Sequence, residues 1–420
     1  MAENEAWIVG AVRTPIGRHG GVLASVRPDD LGSYVLQALA ERTGVDPGEV
    51  EDVIFGCANQ AGEDNRDVAR MSLLLAGWPE HVGGVTVNRL CGSGLDAVAY
   101  ASRAVKLGEA DVYVGGGVES MTRAPLAMMK SPRPFGTGHQ QIFDTTLGWR
   151  FTNPRMEEMG HTDSLGQTAE NLAQARFAVT TEEERPEELA STYDISREKQ
   201  DAFALHSHRK AVAAQDAGRF ADELVPVTVK GRKGDTVVDA DEGPRRDTSM
   251  EALAKLRPAF TKDGTVTAGN SSPLNDGAAA VMVTSDRYAK AHGLEPMARI
   301  RSVAIAGVPP RVMGIGPVPA VSKALKRAGV TMDDIGLVEL NEAFAAQSLA
   351  VIHEWGMDGE DPRLNPNGGA IALGHPLGAS GARLLTTLVH EMGRRDDVEL
   401  GLATMCIGVG QGIAMVVEKV

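Results

Sequence analysis

Apolar residues along this chain follow two rhythms. Short β-branched runs bounded by Gly or Pro, namely Trp7–Val12, Val53–Gly56, Val85–Asn88 and Asp111–Gly117, predict strands. Between them, Asp30–Thr43 and Leu95–Leu107 repeat their apolar positions at helical spacing. The alternation predicts a layered α/β domain. It resumes towards the C-terminus with strand-like Ala298–Ala306 and Leu337–Leu340, helix-like Val318–Ala328 and Ala379–Met392, and the apolar stretch Leu400–Val417. Residues 121–274 break the rhythm. They carry turn signals, few buried-strand patterns and a charge run, Glu182–Glu188, that reads as a solvated face. This region is predicted to be an insertion lying over the α/β layers.

A weak internal symmetry runs through the pattern. In the first half a strand leads into Asn88-Arg89-Leu90-Cys91-Gly92-Ser93-Gly94, then a helix, then a strand ending in Gly115-Gly116-Gly117. In the second, a Gly-rich turn leads to a helix from Gly378 and then to a strand running into Cys406-Ile407-Gly408-Val409-Gly410.

Composition narrows the picture. At 420 residues the chain predicts two or three domain-sized units. A net charge of -14 argues against non-specific nucleic-acid or membrane-surface binding. No run approaches the length of a membrane span, and the first apolar stretch is too short for a secretory leader. Three cysteines with no such leader suggest reduced thiols and a cytoplasmic protein.

Cys91 follows an apolar strand and precedes a helix rich in small residues. The positive end of the helix dipole lowers a thiol's pKa there, so Cys91 reads either as a nucleophile or as a small buried thiol. Cys406, at a Gly-rich strand end, reads as a core thiol or as a second reactive group. Cys57 reads as structural. His375, between Gly374 and Pro376, is held in a turn where neutral imidazole could activate a thiol, or where a histidine simply faces solvent. Asn341 and Glu342 end a strand, either capping a helix or positioning a water or oxyanion donor. No metal-ligand spacing occurs.

Seven motifs then fall in order over nearly the whole chain: VRTPIGR, NRLCGSGLDAV, GGVESM, TVTAGNSSPLNDGAAA, VELNEAFAAQ, NPNGGAIALGHPLGASGAR and CIGVGQG. Together they resemble the thiolase family, the acetyl-CoA acyltransferases. The resemblance implies two duplicated βαβαβαββ halves in a five-layered α/β/α/β/α core with an inserted loop domain. The first half would be residues 1–120 plus 275–293, the loop domain 121–274 and the second half 294–420. Cys91 would become acylated and His375 would activate it. Asn341 would hold a water beside the developing enolate oxygen. Cys406 would act as general acid or base, and the N–H groups of Cys91 and Gly408 would form an oxyanion hole. Leu165, Arg245, Ala268, Ser272 and Phe344 match family positions around coenzyme A. The family implies coenzyme A as co-substrate with no tightly bound cofactor, and a homodimer or homotetramer.

Two departures touch the acyl pocket. Ser164-Leu165 stands where short-chain biosynthetic members carry His-Met, and Asn270-Ser271-Ser272-Pro273 where they carry Asn-Ala-Ser-Gly. Both argue against an acetoacetyl-CoA specialist. GCANQAGEDNRDVARM, DTTLGWRFTNP and PPRVMGIGPVPAV resemble thiolases of the β-ketoadipate pathway, which act on 3-oxoadipyl-CoA. Independently, residues 121–156 contain Arg123, Lys130, Arg133, Arg150 and Arg155 against the single Asp144. Such a segment suits either a distal carboxylate or the phosphates of coenzyme A. The alternatives are a general 3-oxoacyl-CoA thiolase of fatty-acid degradation, an acetoacetyl-CoA thiolase, and a non-catalytic acyl-CoA-binding protein. A decarboxylating condensing enzyme is disfavoured by the second cysteine.

Overall fold

Two sheets of the same plan, joined edge to edge, organise the chain. The computed structural model describes residues 4–174, 176–177, 191–193 and 195–420, and the run Glu182–Glu188 lies outside the described residues. The first sheet contains β1 (Ala6–Arg13), β2 (Asp52–Gly56), β3 (Gly83–Val87), β4 (Val112–Ser120) and β5 (Asn275–Ser285), ordered β3-β2-β4-β5-β1. β2 runs parallel to β3 and β4, while β5 is antiparallel to β4 and β1. The second contains β6 (Ala298–Gly307), β7 (Leu337–Leu340), β8 (Leu400–Ile407) and β9 (Gln411–Glu418), ordered β7-β8-β9-β6. Its pairings repeat those of the first: β7 parallel to β8, β9 antiparallel to β8 and β6. A short seam, Trp7 with Arg299 and Ile8 with Ala298, joins the two edges.

Helices α1 (Pro28–Thr43) and α2 (Val68–Leu75) cover the outer face of the first sheet through Leu31, Val35, Leu39 and Leu73. α1 begins with Pro28 at its first position and acidic Asp29 and Asp30, and ends on left-handed Gly44, so its limits follow from its sequence. α3 (Ser93–Leu107) and α8 (Leu377–Gly393) lie between the sheets. Leu95, Val98, Leu384 and Leu388 pack there against Ile8 and Val281 of one sheet and Met405 and Ile413 of the other. α6 (Pro317–Ala328) and α7 (Ala345–Glu354) close the outer face of the second sheet. The order helix, sheet, helix, sheet, helix is the five-layered α/β/α/β/α core that the resemblance implied. Residues 121–274 contribute α4 (Leu165–Gln174), α5 (Arg197–Asp216) and short two-stranded ribbons such as Leu126–Met128 with Ile142–Asp144.

Three local features go beyond the sequence reading. The Ala-rich Asn275–Ser285, weak in β propensity, is the long central strand of its sheet; burial on both faces overrides propensity. The stretch Leu400–Val417 is a hairpin, reversing at Val409 (φ 63°) and Gly410 (φ 82°). In the second half the third strand of the predicted βαβαβαββ pattern shrinks to one parallel bridge, Leu364 with Val338. Pro362 and Pro366 flank it, and proline has no N–H to extend a ladder.

The central helices meet backbone to backbone. A Cβ on Gly94 would lie 2.7 Å from the carbonyl oxygen of Gly378, so a side chain there would force α3 and α8 apart. Their N-termini are thereby brought together, and each is preceded by a candidate reactive residue.

Candidate active site

Cys91 sits at the end of a tight turn. The Asn88 side chain accepts the N–H of Leu90 at 2.8 Å, and Ser93 Oγ accepts that of Arg89 at 2.8 Å. Leu90 is held at φ 46°, a left-handed conformation that costs a bulky residue of order 1–3 kcal/mol. The turn delivers Cys91 to the start of α3 with its side chain buried. The helix-end argument predicts a depressed thiol pKa, and here the structure differs: burial pushes Cys91 up to about 11. The backbone N–H groups of Gly408 and of Cys91 itself point at the sulfur and oppose that rise. Removal from water outweighs the two donors and the dipole, so the resting group is a thiol.

His375 is built from the other half. The short helix Ala370–Leu373 ends on Gly374 at φ 117°, where a Cβ would press on Asn275 at 2.6 Å. Asn275 Oδ1 accepts the His375 N–H at 2.9 Å. Ser380 Oγ donates to the Pro376 carbonyl at 2.8 Å and lies 2.6 Å from His375 Nδ1. The hydroxyl proton is committed to a carbonyl, so Nδ1 must be the protonated nitrogen and Nε2 the free base. Burial, and behind it the Arg383 cation, lower the imidazole to about pKa 3, so it rests neutral. Asn341 Nδ2 approaches Nε2 at 3.4 Å, while Asn341 Oδ1 is buried with no protein partner.

Asn341 does not cap α7, whose N-cap is Phe344 without a side-chain bond. Glu342 serves the turn instead, accepting from Ser207 at 2.6 Å, Asn365 at 2.8 Å and the Ile371 N–H at 3.2 Å. Cys406, next to last in β8, is buried, and its thiol is pushed up by burial and further by the Cys91 charge, which places the two sulfurs in one electrostatic neighbourhood.

Glu119 carries a role that the sequence reading missed. Its carboxylate is buried and accepts the N–H groups of Ala58 (2.9 Å), Asn59 (3.1 Å) and Gly378 (2.8 Å), tying the loop after β2 to the start of α8. Burial raises its pKa to about 7. A lone acid in the otherwise apolar Val112–Ser120 was the available signal. Cys57 is buried beside Asp64 at 3.6 Å, as a structural residue would be. Cys57, Asp64 and Glu119 bring ligand-type atoms within 4.8 Å, but both oxygens of Glu119 are already engaged by backbone donors.

A cavity of about 180 Å³ opens onto this centre. Cys91, Gly408, Leu90, Leu165 and Leu377 line it together with Asn59, Thr145, Trp149, Arg150 and His161. His375, Asn341 and Cys406 are buried and do not form its wall. Of the expected coenzyme A contacts, Leu165 alone reaches this cavity. Ser272 donates through N and Oγ to the Ala343 carbonyl, both at 3.0 Å, and Phe344 stands edge-on to Phe260, with exposed Ala268 on the same turn. Arg245 is exposed, its backbone N–H on His208, apart from the cavity wall.

Two family models match consecutive parts of the chain. Residues 6–287 match the family model for the thiolase N-terminal domain and residues 294–419 that for the thiolase C-terminal domain. The chain is 54% identical over 418 residues to a beta-ketoadipyl-CoA thiolase of Pseudomonas aeruginosa, covering 99% of this chain and 100% of that protein. It is 52% identical over 419 residues to a 3-oxoadipyl-CoA/3-oxo-5,6-dehydrosuberyl-CoA thiolase of Escherichia coli, with the same coverage. The crystal structure of the Bacillus anthracis acetyl-CoA acetyltransferase superposes with a TM-score of 0.90 at 41% identity over the full length of both chains.

Proposed function

The chain belongs to the thiolase family of acyltransferases, and from that premise we propose that it cleaves 3-oxoadipyl-CoA with coenzyme A, giving acetyl-CoA and succinyl-CoA through an acyl-Cys91 intermediate. The observation that carries the reading is the convergence on one cavity of Cys91, whose thiolate the backbone N–H groups of Gly408 and Cys91 favour, and of Arg150.

His375 Nε2 takes the Cys91 proton as the sulfur attacks the C3 carbonyl, since the resting pair is thiol and neutral imidazole. The N–H groups of Cys91 and Gly408 receive the oxyanion of the tetrahedral adduct. The C2–C3 bond then breaks, its electron pair passing to the acetyl-CoA enolate. The unpartnered Asn341 Oδ1 suits a water that, with His375, meets the enolate oxygen. Cys406, the more strongly protonated thiol, gives the proton to C2. Coenzyme A, giving its thiol proton to the Cys406 thiolate, next attacks acyl-Cys91 and releases the succinyl thioester, while Cys91 leaves as thiolate and recovers its proton from His375. Leu165, Ser272, Ala268, Phe344 and Arg245 hold coenzyme A in this reading.

The protein acts in the cytoplasm as a homodimer or homotetramer. Exposed Leu126, Met128, Met129, Phe135 and Ile142 on one segment favour association. Among the described residues no helix is long and apolar enough to cross a membrane.

Thiolysis of 3-oxoadipyl-CoA, acetoacetyl-CoA and 3-oxooctanoyl-CoA, compared by kcat/KM, tests the substrate. The adipyl substrate is expected to lead by more than about tenfold, roughly 1.4 kcal/mol of transition-state discrimination. Equal or better turnover of the uncharged substrates makes this a general degradative thiolase.

A further inference from the structure

The five cations of residues 121–156 do not share one fate. Arg123 is spent on Glu63, with which it forms an ion pair at a different surface hollow. Lys130, Arg133 and Arg155 are exposed and line no part of the Cys91 cavity. Arg150 alone is half-buried in the cavity wall.

Its guanidinium is held from one side only. Arg150 Nη2 donates to Asn59 Oδ1 at 3.0 Å. Asn59 is itself fixed, its side chain donating to Thr145 Oγ1 at 3.2 Å and its N–H to Glu119 at 3.1 Å. Among the described residues no carboxylate lies within ion-pair distance of Arg150, and its Nε and Nη1 have no partner. The one acid among the residues lining the cavity, Asp163, is already answered by Arg311 at 3.1 Å and Asn171 at 3.0 Å. Nε and Nη1 lie on different edges, and each can join the second Nη2 proton in a fork, so this guanidinium, in the wall of a cavity whose own negative charge is compensated, matches a carboxylate in fork-to-fork geometry.

We infer that Arg150, positioned by Asn59, receives the distal carboxylate of the acyl chain and sets the preference for a dicarboxyl substrate. The inference rests on the substrate reading above. The test is the ratio of kcat/KM for 3-oxoadipyl-CoA to that for 3-oxohexanoyl-CoA, which has the same carbon count and a methyl group where the carboxylate stands. In R150Q the ratio falls by at least about tenfold, in R150K by less because charge is kept and the fork is lost, and in N59A by roughly threefold through the loosened guanidinium. A wild-type ratio well above one that R150Q leaves in place overturns the Arg150 assignment alone. A ratio that N59A leaves in place overturns its positioning role. A wild-type ratio near one overturns the substrate reading itself, and this subsite with it.

Discussion

The turn carrying Cys91 and the turn carrying Cys406 look alike in sequence, each a cysteine beside glycines at a strand end, and the structure separates them by what faces the sulfur. Cys91 stands at a helix entrance with the N–H groups of Gly408 and its own residue on the sulfur, and burial lifts its thiol only to about 11. Cys406 stays inside the sheet, paired opposite Gly412, where burial and the neighbouring Cys91 charge lift it further. Two buried thiols thus differ in which one ionises first: Cys91 has the Gly408 N–H as an additional donor, and its charge in turn holds the Cys406 proton. In the proposed reaction that order separates the nucleophile from the acid.

The comparison breaks most visibly under truncation of each sulfur. C91A is expected to lose thiolysis by roughly 10³-fold or more, because no acyl-enzyme forms. C406A is expected to lose thiolysis by about 10²–10⁴-fold, the usual range for a positioned general acid or base. The two part company in a second assay, exchange of labelled coenzyme A into succinyl-CoA, which needs the acyl-enzyme and no carbanion. C91A should abolish exchange while C406A lowers it far less. Equal loss of exchange in both variants would remove the division of labour.

Alkylation sharpens the same contrast by a smaller factor. With iodoacetamide and peptide mass spectrometry between pH 7 and 11, Cys91 should be labelled at least about tenfold faster than Cys406, since the thiolate is the reacting species. Its rate should climb with pH towards about 11 rather than level off near neutrality. A plateau near pH 7 would mean that the helix end and the two donors overcome burial after all.

Much of this was legible before any coordinates. The hydrophobic rhythm gave β1, β2, α1, α3 and α6 to within a few residues, and the glycine-flanked turns marked Cys91, His375 and Cys406. What the rhythm hid were features fixed by distant partners. Asn275–Ser285 is a strand only because two neighbours cover it, and Leu400–Val417 reads as one apolar stretch although its Gly408-Val409-Gly410 centre reverses direction. Glu119, Ser380 and Asn275 act through hydrogen bonds to residues 5 to 259 positions away, which no local pattern reports. The protonation of Cys91 was misjudged for the same reason: the dipole is local and visible in sequence, and burial is not.

Glu119 offers the smallest and most selective perturbation, because its charge raises Cys91 and is absent from the influences on Cys406. Its folded pKa of about 7 lies above the ordinary carboxylate value, so the folded state holds this proton more tightly than the unfolded state. Its contribution to stability is complete at low pH and is lost as pH rises towards and through about 7. E119Q removes that titration and turns an amide N–H towards one backbone donor, at a cost of about 1–3 kcal/mol. Urea unfolding should therefore show the largest penalty near pH 5 and a smaller one near pH 8, where the wild type alone has lost stability. In the same variant Cys91 alkylation should move to lower pH while that of Cys406 stays in place. A penalty that is constant with pH, or both cysteines moving together, would show that Glu119 is buried without acting on the Cys91 turn.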